Sequence, residues 1–164
     1  MFRREGDHCV ARFAPEEARL LRKIAEEVVA LLTDGFDRSD PVVERLFPDV
    51  YPNEPHTSAE YRRLTEGELK TAKIDQAGSI LATVPADGGG EVRLDAESAE
   101  AWLRALNDAR LALGVRLEIT DETSLEGELD EAVLRSPTSA RVFQLTVYAY
   151  LGYLQESLLE ALTS

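Results

Sequence analysis

With 164 residues, 44% of them hydrophobic and 30% charged, the chain has the composition of a single globular domain and not of a disordered segment. A net charge of −13 argues against a nucleic-acid binder, which needs a basic footprint, and favours basic partners or plain solubility. The single cysteine, Cys9, excludes an internal disulfide, and no apolar run nears the ~20 residues that cross a bilayer.

In chain order, Phe2 to Glu5 and Cys9 to Phe13 read as two short strands around a Gly6-Asp7 turn, a hairpin within residues 1–14. Pro15 suits a first helical position, and Glu16 and Glu17 suit the positive end of the dipole. Ala18, Leu21, Ile24, Ala25, Val28 and Leu32 recur at spacings of three and four, one apolar helix face that Gly35 closes as its C′ residue. Residues 36–57 are a proline-punctuated loop region with one short helix around Val42 to Leu46. Thr57 with Glu60 predicts a helix from near Ala59; Thr65 with Glu68 predicts that it breaks and restarts, burying Leu69, Ala72, Ala77, Ile80 and Val84. Pro85 ends it, and Asp87-Gly88-Gly89-Gly90 reads as a flexible turn before a brief strand at residues 91–94.

Asp95 caps a helix with Ala99, Trp102, Leu103, Leu106, Ala109, Leu113 and Leu117 on one face. An acidic stretch follows, with a short helix from Glu128 to Leu134. Ser136-Pro137 reads as the N-cap and first residue of a last helix over residues 136–162. Between 142 and 154 this helix is apolar on nearly every side, so it is either a central core helix or one that pairs with a second copy of the chain. Arg12–Ala18 echoes Arg93–Ala99. Both are a strand end feeding a capped helix, read as convergent capping or, if duplicated, as two strand ends side by side in one sheet. The expected fold is mainly α: one helical bundle over residues 1–164 with a small N-terminal hairpin and a minor strand near 91–94.

No strong catalytic or metal motif is present, so no cofactor and no metal are expected. His8 and His56 lack zinc-ligand spacing, Gly88-Gly89-Gly90 lacks the Lys-Ser/Thr of a phosphate loop, and Asp34, Asp37 and Asp40 lack the spacing of a calcium loop. Cys9 and His8 are adjacent on a strand and point to opposite faces. Two polar clusters remain. Arg104, Asn107, Asp108 and Arg110 lie on one helix, where Arg104 and Asp108 are spaced for an ion pair; they form a network that docks helices, or a ligand or partner site. Arg62 and Arg63 answer a nearby carboxylate, or bind an anion or an acidic partner. Glu156, with Tyr153 close by, is a candidate mate for either cluster.

The stretch Trp102–Gly114, the segments Leu46-Phe47-Pro48 with Tyr51 and Tyr61-Arg62-Arg63-Leu64-Thr65, and Tyr150–Leu158 together resemble, in order, an actinobacterial family known only as a domain of unknown function. The resemblance implies no activity and no catalytic residue. It does imply a genomic setting beside the adaptor that delivers substrates to the Clp protease, with sulfur-transfer genes close by. The reading that follows is a non-enzymatic protein-interaction or regulatory module in the cytoplasm, linked to regulated proteolysis, with the Clp adaptor as one candidate partner. A transcriptional regulator turning at Thr65, and a small-molecule binder or enzyme built on Arg104, Asn107 and Asp108, are the alternatives.

Overall fold

The computed structural model describes residues 1–34 and 36–164; the helix end expected at Gly35 lies outside them. Strands β1 (Arg3–Glu5) and β2 (His8–Phe13) form the hairpin, with Gly6 in the left-handed region at φ +62°. Strand β3 (Gly90–Leu94) pairs antiparallel with the other edge of β2, giving the order β1-β2-β3. The two echoed strands are neighbours in one sheet, but antiparallel, so their ends do not sit side by side. Phe13 faces Gly90 and Leu94 faces Cys9, so the helices that follow β2 and β3 leave from opposite ends.

Among the described residues there are six helices, α1 (Pro15–Thr33), α2 (Pro41–Leu46), α3 (Pro55–Thr83), α4 (Ala96–Arg116), α5 (Leu125–Arg135) and α6 (Ala140–Thr163), of which α1, α3, α4 and α6 touch the sheet. The chain is mainly α with a minor sheet. Helix α4 is the hub, touching α1, α2, α3, α6, β2 and β3. It is capped as its sequence requires, Asp95 accepting from the Ser98 amide at 2.8 Å. Its Trp102 is fully buried, stacked on Phe13 at 6.0 Å and edge-on to Phe2 at 5.9 Å. Burial leaves the indole N–H needing a partner, and it donates to Thr83 Oγ1 at 2.7 Å, tying α4 to the end of α3.

The Gly-rich turn before β3 is more than slack chain. Gly89 has φ +77°, and a Cβ there would lie 2.5 Å from the Phe13 carbonyl oxygen. Only glycine brings this turn against the β2–α1 junction.

Three expectations are corrected. Helix α3 is continuous and starts at Pro55, whose missing N–H costs nothing at a first helical position. Neither capping box is used. The Thr65 hydroxyl donates to the Tyr61 carbonyl one turn back and so stays inside the helix. Ser58, buried, clamps the preceding loop by bonding both the amide and the carbonyl of Tyr51. Leu69 is 43% exposed and Ala72 is also exposed, on the face of α3 turned away from the core; Ala77, Ile80 and Val84 are buried as expected.

Second, α5 begins earlier than Glu128, because Ser124 accepts from the Gly127 amide at 3.2 Å. Third, α6 begins at Ala140 with Ser139 as its N-cap, and not at Ser136-Pro137. The Ser139 hydroxyl accepts from the Val142 amide, while residues 136–139 make a turn. Helix α6 is not surrounded. Leu145, Val147, Leu151, Leu154 and Leu158 face inward, but Phe143 is 62% and Tyr153 53% exposed.

Candidate functional site

The polar residues singled out in the sequence lie in separate places. Asp108 is almost fully buried and turns toward α3, where Lys73 Nζ donates to its Oδ1 at 2.8 Å. Its other oxygen has no hydrogen-bond partner. Burial pushes the Asp108 carboxyl above its ordinary range, opposed by the Lys73 ammonium. Arg104, four residues earlier, is exposed and does not take the ion pair that its spacing allows.

On the α4–α6 seam, Gln155 bridges two α4 side chains. Its amide donates to Asn107 Oδ1 at 3.2 Å, and its oxygen accepts from Arg110 at 3.4 Å. The Arg110 guanidinium also lies over the Tyr148 ring at 5.3 Å. Farther along α6, Tyr150 donates to Glu17 at 2.6 Å, and burial raises its pKa further from neutrality. Tyr153 accepts from the Met1 amine at 3.1 Å, while Glu156 is exposed and pairs with neither arginine cluster.

Arg62 pairs with Asp49, which Arg38 also approaches at 3.6 Å while reaching Glu66 at 3.5 Å. This network pins the loop after α2 onto the first half of α3. Arg63 instead makes an exposed pair with Glu60, one turn away on the same helix. Cys9 is buried, and burial raises its thiol pKa, only partly offset by Arg4.

One concavity is largely apolar, and the polar clusters do not point to it. A groove of about 370 Å³ runs between α1 and α6 over the floor of α4. Leu20, Ile24, Val28 and Leu31 form one wall, Phe143, Val147 and Leu151 the other, and Ala109, Ala112 and Leu113 the floor. Lys23, Glu27 and Arg116 stand exposed at its rim. Among the described residues, neither Lys23 nor Arg116 has a carboxylate within ion-pair distance. A signal for this groove exists in the sequence. The apolar arc of α1 is wider than one core stripe needs, because Leu20, Ile24 and Leu31 lie beside Leu21, Ala25, Val28 and Leu32.

Among the described residues no three His, Cys, Asp or Glu side chains cluster as a metal site, and no helix is long and apolar enough to cross a membrane.

The whole chain, hub helix and terminal helix included, matches one family description over residues 1–162. The protein belongs to the family "Domain of unknown function (DUF2017)". This is the kind of family that the Trp102–Gly114 stretch resembles. Among its curated relatives is "Oxidative stress regulator AosR" of Mycobacterium tuberculosis, 35% identical over 71% of this chain and 68% of that protein. A protein of the same name in Mycobacterium bovis matches equally. A Mycobacterium leprae relative is 32% identical over 91% of this chain and 80% of its own length. No solved structure matches the chain.

Proposed function

We propose that this DUF2017 protein is a regulator in the response to oxidative stress and works by binding another protein. The observation that carries the reading is the open groove on α4, a surface suited to recognition whose walls and floor are apolar. The names of the mycobacterial relatives support the regulatory half. The chemistry of Cys9 bears on how it works. A single buried thiol of raised pKa is a poor oxidant sensor, so within these 164 residues the signal arrives through the partner and not through an internal disulfide.

The test is deletion and complementation in the host under peroxide challenge, paired with co-purification of the tagged protein. A strain without the gene should lose peroxide tolerance, and the protein should bring down a stoichiometric partner. Unchanged tolerance together with a lone protein would end the proposal. The Clp adaptor implied by the resemblance is one candidate in that co-purification. A second copy of the chain, paired through residues 142–154, is another. The transcription-factor alternative has lost its turn, because α3 runs straight through Thr65. Retention on DNA at low salt would revive it.

A further inference from the structure

We infer that the groove between α1, α4 and α6 receives an amphipathic helix of the partner protein, with acidic residues flanking the apolar stripe. The inference rests on the protein-binding reading above and names the docking element.

Length comes first. The α1 wall runs from Leu20 to Leu31, which at 1.5 Å per residue is about 16 Å, or three helical turns. An incoming helix spans that distance with apolar side chains at i, i+3 or i+4, and i+7. The floor carries the small side chains of Ala109 and Ala112, so a second helix can approach α4 closely. Enclosure comes next. Leu20, Ile24 and Leu31 on one wall stay partly exposed and Phe143 on the other is 62% exposed, while Val28, Val147 and Leu151 are buried deeper in the groove. A bound acyl chain needs most of its surface covered, whereas a helix needs only one face covered.

Charge then selects the partner. The chain carries −13 overall, yet the groove rim carries Lys23 and Arg116 against Glu27, with Asp34 in the concavity that adjoins its Leu31–Arg116 end. Ala140, in the first turn of α6, lines the same groove and brings the positive end of that helix dipole. An acidic segment is repelled by most of this molecule and attracted here, which gives register as well as affinity. Basic flanks would face the two cations.

The test is selection of a helix-biased peptide display library on the full 164-residue protein, with measurement of the winners by fluorescence anisotropy. Enriched peptides should carry an apolar i, i+3/i+4, i+7 stripe with Asp or Glu beside it. Binding should fall on the order of tenfold or more with Phe143→Asp, which removes an anchor. It should also weaken with Lys23→Glu plus Arg116→Glu, most strongly at low salt. Both variants alter exposed side chains, and Leu134→Asp on α5 serves as a control that binds like the parent. No enrichment, basic winners, or winners indifferent to Phe143→Asp would overturn the inference. So would displacement of the peptides by laurate, or a dimer in sedimentation that Phe143→Asp dissociates. A host strain carrying Phe143→Asp that keeps both peroxide tolerance and its partner would sink the groove while leaving the regulatory reading intact.

Discussion

Helix α4 meets its neighbours in two ways. Where it faces α3 and the seam side of α6, polar side chains close the contact: Lys73 with Asp108, and Asn107 with Gln155 and Arg110. Where it faces α1 and the first turns of α6, the surfaces are apolar and stay apart, leaving the groove. The difference is instructive because the closed side contains the residues that look functional in the sequence. A buried polar group must find a partner, so conspicuous polar residues on a core helix end up fixing how helices dock. The surface left for another molecule is built from ordinary leucines, valines and alanines whose packing is unfinished.

The contrast can be tested by substitution, and the largest effect belongs to the closed side. Lys73→Met leaves the Asp108 carboxylate buried without its cation and should destabilise the protein by about 3–5 kcal/mol in urea unfolding. Adding Asp108→Leu should restore most of that loss; a double variant as weak as the single one would mean that the pair does more than offset its own burial.

The same carboxyl carries a pH signature. Its raised folded-state pKa means that ionised Asp108 is penalised at neutral pH. The penalty is relieved as pH falls through the raised value toward the ordinary carboxyl value of about 4. Stability of the parent relative to Asp108→Asn should therefore grow from about pH 7 to about pH 4. A difference that stays flat or shrinks would show that Lys73 outweighs burial.

Overpacking separates the two sides next. Ala105→Leu, in the closed core, should cost about 1–3 kcal/mol, whereas Ala112→Leu, on the groove floor, should change stability by less than about 1 kcal/mol because the added carbons enter open space. Equal costs would mean that the groove closes in solution. The smallest effect is expected at Phe143→Asp, within about 0.5 kcal/mol of the parent in the same unfolding assay, as for other exposed positions. A large loss there would make Phe143 a packing residue and remove it from the docking surface.

Much of this molecule was written in local pattern. The hairpin around Gly6-Asp7, the strand near 91–94, the α1 stripe and the Asp95 cap need only neighbours in sequence, because turn chemistry, alternation and capping are short-range effects. The family resemblance also lies in the linear order of segments. What failed was the choice among equally good local signals. Thr57, Thr65 and Ser136 all look like helix starts, but Pro55 and Ser139 open the helices instead, and a threonine inside a helix can satisfy its hydroxyl one turn back. Whether Asp108 pairs with Arg104 or Lys73 is likewise invisible along one helix, since the answer lies on another. The groove is the extreme case. Periodicity marks which side chains are apolar, but only the spacing of α1 and α6 on α4 decides which of them remain uncovered, because burial depends on what packs across from a residue and not on its neighbours in the chain.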